Sequence, residues 1–304
     1  MELTWKQSVD LSAYHLAWCF AYLPDRVPPS AQQDLERCCH ELSHLVANLG
    51  VADVAFWDAL FTLSPECPSN TQLSERIVRR LVGGANTSSQ ASELAGQFSN
   101  LKAAFGSFRP NAEEELRLRA QPLQQLWQAY GPGLLAQLRN LVAPDIIVSR
   151  AEIILVQPAA GGFGHAHLST NRIHFEAVLT NPNEEIPEVL RLAWLLSQLD
   201  LERPVYSELI NRHRLGRVAG LALVPAVLEA SGNLGISTLS ESHLEQAIEA
   251  WLSPFKTPKS KAAPAPNLLA PVIMSWWETW RANPSDWRVA LTGLDRMLEQ
   301  LDSV

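Results

Sequence analysis

Apolar residues recur three and four positions apart through most of residues 1–135, a spacing that predicts helices. In "SAQQDLERCCHELSHLVANLG" the residues Leu35, Cys38, Cys39, Leu42, Leu45, Val46 and Leu49 form one stripe. Ser30 and Gln33 open it with capping-box spacing, and Gly50 closes it. "DVAFWDALFTL" (53–63) and "TQLSERIVRRLVGG" (71–84) keep the helical period. "ANTSSQASELAGQFSN" (85–100) is small and polar, which predicts a loop or weak helix. "AEEELRLRAQPLQQLWQAYGPG" (112–133) predicts a helix broken near Pro122, and "GLLAQLRNLV" (133–142) a further helix.

The pattern changes at Ala143. "AEIILVQPA" (151–159) is rich in Ile, Leu and Val and predicts a strand. "GGFG" (161–164) predicts a flexible turn, and the alternation across "HAHLS" and "RIHFEAVL" predicts a hairpin over 164–179. "IPEVLRLAWLLSQLDL" (186–201) is apolar nearly all round, as a buried helix would be. Helical spacing resumes over 206–230, with Pro225 as a kink or stop, and again over 242–252, 267–280 and 286–301. The expected fold is α+β and predominantly helical, with a small antiparallel or mixed sheet and a buried central helix. Three parts are expected: helices over 1–142, an α/β core over 143–235, and C-terminal helices over 236–304 after a Pro/Lys linker near 254–266.

Hydrophobic residues make up 47% of the 304, enough for a sizeable core. The net charge of −8, with no Lys/Arg cluster, argues against a nucleic-acid partner. Cys19, Cys38, Cys39 and Cys67 lack regular spacing and contain no CxxC pair, so reduced, partly buried thiols are expected. The apolar run 13–23 is too short to span a bilayer, and no basic segment precedes it. A cytoplasmic protein without a membrane anchor is expected.

His40-Glu41-Leu42-Ser43-His44 matches H-E-x-x-H, in which two imidazoles one turn apart reach a zinc ion and the Glu deprotonates its bound water. At about 100° per residue, however, His40 and His44 fall opposite the apolar stripe, beside Glu36, Arg37 and Glu41. Ala47 and Gly50 stand where a metzincin extension would need Gly and His, and Glu66 and Glu75 lie in no gluzincin-like motif. A solvated face is the expectation, and a zinc hydrolase using His40, Glu41 and His44 is the rival.

The hairpin offers a second ligand set. With the turn centred on Thr170-Asn171, Ser169 pairs with Arg172, Leu168 with Ile173, His167 with His174 and His165 with Glu176. His165, His167, His174 and Glu176 then share one face, and Ala166, Leu168, Ile173 and Phe175 the other. Three imidazoles and a carboxylate could hold Zn²⁺ or Ni²⁺ without hydrolysis. An open polar sheet face is the simpler expectation.

The segment "GHAHLSTNRIHFEAVLTNPNEEIPEVLRLAWLLSQL" (164–199) runs strand, turn, strand, polar loop, buried helix. Over about residues 150–215 this order and texture resembles the core of zincin-like metallopeptidases. Laid on that pattern, the His-Glu-x-x-His window falls on Trp194-Leu195-Leu196-Ser197-Gln198. Trp194 and Gln198 replace the two His and Leu195 the Glu, so the resemblance implies the frame without its zinc or its activity.

Trp276, Trp277 and Trp280, with Trp287 soon after, concentrate aromatic surface near the C-terminus. Core packing of a helical pair is one expectation. A protein-binding surface is the other. No phosphate loop or G-x-S-x-G elbow is present, and Cys67 has no His close by in sequence. The leading functional expectation is a non-catalytic interaction or scaffold protein whose zincin-like core has lost its metal site.

Overall fold

A strand begins the chain where the sequence pattern suggested helix. β1 (Glu2–Gln7) pairs with β2 (Arg150–Val156). The Glu2 N–H donates to Ser149 O at 2.8 Å and the Ser8 N–H to Leu155 O at 3.1 Å. Both partners advance by the same number of residues, so the two strands are parallel. The computed structural model describes residues 1–27, 33–83, 88–143, 145–168, 170–199, 201, 206, 208–252 and 264–302. Among these are eleven α-helices and one four-stranded mixed sheet of order β1-β2-β4-β3, a predominantly helical α+β fold as expected. Ser30 of the expected capping box and most of the expected linker lie outside the described residues.

The chain forms two compact units. A helical unit comprises Lys6–Ala120 and 154–161; a sheet unit comprises Met1–Trp5, Gln121–Ile153 and Gly162–Val304.

In the helical unit, Ser8 starts α1 (Val9–Tyr22) by accepting the Leu11 N–H at 3.0 Å. α2 (Gln33–Asn48) buries the expected stripe, and Gly50 follows it in the left-handed region at φ 67°. α3 (Asp53–Leu63) and α4 (Asn70–Leu81), capped by Ser69, come next. The stretch expected as a loop or weak helix lies largely within α5 (Ser88–Phe108). Ala91, Leu94, Phe98, Leu101 and Phe105 give α5 a buried stripe that the small polar residues between them hide in the sequence. This stripe packs on α1, α2 and α4, with the Tyr14 and Phe98 rings 5.0 Å apart.

α6 (Ala112–Leu141) passes Pro122 and Pro132 without the expected break. Each proline leaves the carbonyl four residues earlier without its helical donor. Those residues, Leu118 and Gln128, are exposed, so water can serve the freed carbonyls.

In the sheet unit, β3 (Gly164–His167) and β4 (Arg172–Glu176) form an antiparallel pair. α7 (Glu188–Leu196) packs on both. A Cβ at Gly164 would come within 2.6 Å of Leu195 Cδ1, so glycine permits the close approach. α8 (Arg212–Gly232) accommodates Pro225 internally and packs against α7. Its residues His213–Gly232 are apolar and long enough for a membrane span, but the stretch is mostly buried inside the protein. α9 (Glu241–Trp251), α10 (Pro266–Ala282) and α11 (Trp287–Asp302) surround α8. Arg214 and Arg217 tie α8 to Asp295 and Asp302 of α11.

Candidate functional site

The H-E-x-x-H residues sit on the open face of α2. His40 and His44 are exposed, and the His40 side chain is 66% accessible. Its Nε2 lies 3.8 Å from Glu36 Oε1 within the same helix. Glu41 accepts a 3.4 Å bond from Gln97 Nε2 and lies 3.9 Å from Arg37 Nε. Behind them, burial pushes the Cys39 thiol up to about 12, helped by Cys38 and Glu36. That thiol stays protonated and packs as a small apolar group.

The hairpin register differs from the expected one. His165 lies opposite His174, Ala166 opposite Ile173 and His167 opposite Arg172. The connection is therefore residues 168–171, four rather than two, and Thr170 N–H donates to His167 O at 2.9 Å. Ser169 lies outside the described residues. The shift by two preserves the faces: His165, His167, His174 and Glu176 remain together. The expected open face is instead buried, with His167 and His174 each 1% and Glu176 0% exposed. His167 Nε2 and His174 Nδ1 are 3.1 Å apart, a hydrogen bond whose donor is set by the ring tautomers. The ring centroids of His165, His167 and His174 lie 5.1–5.9 Å apart.

Trp194 of α7 and Gln198, just past its end, face α8. The Trp194 Nε1–H donates to Gly220 O at 2.8 Å, and Gln198 Nε2 donates to Trp194 O at 3.1 Å. A Cβ at Gly220 would touch both side chains at 3.4 Å. The Trp194 ring also tilts against Trp251 at 5.7 Å. Leu195 is 1% exposed and meets β3. An indole, an isobutyl group and an amide bonded to its own helix supply no strong zinc ligand, so these residues do not fit the zinc of the resembled family.

The tryptophans near the C-terminus are packed in the core, the first of the two expectations for Trp276, Trp277 and Trp280. They are 6%, 1% and 6% exposed. Their indole N–H groups donate to Ala290 O, Glu229 Oε2 and Ser285 O at 2.9, 2.7 and 3.3 Å. Trp287 completes the cluster, 5.1 Å from Trp280.

A charge cluster that the sequence reading did not single out lies at the start of α7. Glu176 Oε2 accepts the Gly162 N–H at 2.6 Å, and the Glu176 N–H donates to Phe163 O at 2.8 Å. Gly162 has φ 119°, and a Cβ there would meet Pro182 at 2.9 Å, Arg191 Nη1 at 3.2 Å and Glu188 Oε1 at 3.4 Å. Arg191 Nη2 lies 3.3 Å from Glu188 Oε1, and both side chains are 4% exposed. Glu188 Oε2 is buried and has no hydrogen-bond partner among the described residues. Burial raises the Glu188 carboxyl; Arg191 pulls it back and Glu176 adds to the rise. The backbone N–H of Glu188 donates to Asn181 Oδ1 at 3.1 Å, fixing the loop over the helix start. The signal was present in the sequence: Glu188 and Arg191 stand three apart in an otherwise apolar helix, where charge persists when paired.

Beside this cluster is a pocket of about 260 Å³, lined by Pro122, Leu123 and Leu126 of α6, by 178–181, and by Glu184 and Glu188. No protein-family model matches the chain, and no curated protein or solved structure matches it either.

Proposed function

We propose that this is a non-catalytic interaction or scaffold protein whose zincin-like core carries packing residues where zinc ligands would stand. The observation that supports the reading most is the filling of the α7–α8 contact by Trp194 and Gln198. Hydrolysis through zinc needs three protein ligands and an open fourth position around the metal. At the 194–198 window that space holds an indole bonded to α8. The exposure of His40 and His44 on one helix face also favours a solvated role for them. The partner in this reading is a protein, bound away from the buried tryptophans, and the setting is the cytoplasm.

Metal analysis of the full chain, purified without chelator, tests the reading. Substoichiometric zinc and nickel, with no peptidase activity, is the expected result. Stoichiometric zinc lost on His40→Ala, or peptidase activity abolished by Glu41→Gln, would establish the hydrolase instead. Metal lost on His167→Ala would establish the hairpin site, a reading that the clustering of His165, His167 and His174 favours. Cross-linking in cells tests the scaffold role: a specific protein adduct is expected, and a chain that captures none overturns it.

A further inference from the structure

The pocket between α6 and the segment before α7 joins an apolar floor to an acidic rim. Leu123, Leu126 and Val178 form the floor, and Leu179, 51% exposed, stands beside them. Hydrocarbon laid on these side chains removes their apolar surface from water. The wall opposite α6 is held by its own bonds. Asn181 Oδ1 accepts the Glu188 N–H at 3.1 Å, and Asn183 Oδ1 accepts the Glu185 N–H at 2.8 Å. Asn183 Nδ2 donates to Gln246 Oε1 of α9 at 2.6 Å. Glu185 Oε2 accepts from Gln246 Nε2 at 3.3 Å and lies 3.3 Å from His243 Nε2. The carboxylate of Glu185 is thus engaged with α9. Its neighbour Glu184 is exposed, lines the pocket, and has no hydrogen bond or ion pair among the described residues. No basic side chain lines the pocket among the described residues, so the field at its mouth favours a cation. A volume of about 260 Å³ falls below that of most small-molecule sites and suits a single side chain.

We propose that this pocket receives one long basic side chain, lysine or arginine, of a partner protein. Its aliphatic stem lies on Leu123, Leu126 and Val178, and its charged end meets Glu184 at the open rim. Long basic side chains divide in this way, with hydrocarbon on an apolar surface and the cation toward water. The buried Glu188 carboxylate takes no part in the contact. Leu179 offers the partner's flanking residues an apolar contact outside the pocket, which a free amine would not use. The bonds that fix 181–185 to α7 and α9 spare the partner the entropic cost of ordering that wall. The inference rests on the reading of the chain as an interaction protein and adds the chemistry of what it binds.

Titration of the full chain with a capped heptapeptide of alanine and leucine carrying one central lysine tests the site, followed by methyl resonances. Saturable binding is expected, with shifts centred on Leu123, Leu126, Val178 and Leu179. Peptides with norleucine or glutamate in place of the lysine should bind at least about threefold more weakly at low salt, the scale of an exposed ion pair. Glu184→Gln should weaken the lysine peptide by a similar factor and remove its advantage over norleucine. Added salt should do the same to the parent chain. Leu126→Trp fills the pocket and should abolish binding. Leu179→Asn, at an exposed position, should weaken binding even if Leu126→Trp disturbs α6. Hexylammonium should bind more weakly than the peptide. Equal affinity for the norleucine or glutamate peptide, undiminished binding by Glu184→Gln, hexylammonium as tight as the peptide, or no saturable binding would overturn the proposal. The interaction reading itself stands or falls on the metal, peptidase and cross-linking results, so these outcomes bear on the pocket alone.

Discussion

Two five-residue windows, each on one side of a helix, divide the requirements of a metal site between them. His40 to His44 on α2 carries the right side chains and turns them to water. Trp194 to Gln198, over the last turn of α7 and the turn that follows, lies in an enclosed place and carries side chains that cannot ligate zinc well. The sequence spacing is the same in both, i and i+4, although Gln198 stands just past the end of α7. The difference lies in the opposite flank. On α2 the apolar stripe turns Leu35, Leu42 and Leu45 inward and leaves the imidazoles out. On α7 every residue from Glu188 to Leu196 is buried, so the i and i+4 pair must pack against something. A motif therefore needs two conditions, chemistry and enclosure, and each window meets one.

The sharpest attempt to break this contrast is Trp194→Ala. It removes a buried indole bonded to Gly220 and should cost about 3–5 kcal/mol in urea unfolding. Gln198→Ala should cost less, about 1–2 kcal/mol, because it removes one buried side-chain bond to Trp194 O. Glu188→Gln, in the first turn of α7, is recognised by its pH dependence. The Glu188 carboxyl is raised on folding, so its ionised form is the one the fold disfavours. The resulting destabilisation is absent at about pH 3 and grows as pH rises from the ordinary range through the raised value. The variant mimics the neutral acid, so it should match the parent in acid and exceed its stability at about pH 7. The opposite sign at neutral pH would mean that the pull of Arg191 outweighs burial. The smallest effect belongs to α2: His40→Ala and His44→Ala should each change stability by less than about 0.5 kcal/mol. A loss there comparable to that of Trp194→Ala would end the contrast between the windows.

The sequence disclosed elements wherever periodicity and composition agreed. The stripe of α2 and the apolar run of α7 were legible for that reason. α5 was hidden because small and polar residues, among them Ser92, Glu93, Gly96, Gln97, Ser99 and Asn100, separate the five residues it buries. The break expected at Pro122 did not occur because the flanking turn faces solvent. β1 was overlooked inside a region read as helical, although Thr4 and Trp5 favour extended backbone. The hairpin shows the boundary between local and tertiary information most clearly. Alternation identified which residues share a face, because that depends on the pleat alone. It could not give the four-residue connection, nor the burial of His167, His174 and Glu176, because both depend on the surrounding fold. Of the Glu188 cluster, the charged pair on α7 was visible; its approach to Gly162 was not, since 26 residues separate the positions.

The adjacent glycines of the turn before β3 make this dependence measurable. Among the described residues, and apart from its chain neighbours, no atom lies within 4 Å of a Cβ placed at Gly161, so its positive φ is the demand it makes, and asparagine can meet it. Gly162 adds a steric demand from Pro182 and from two side chains of α7, Glu188 and Arg191. A saturation scan should split this apparently uniform pair into a position that accepts Asn and a neighbour that accepts no side chain. Each failed replacement at 162 would spread its disturbance to the proline loop, the first turn of α7 and the end of β4.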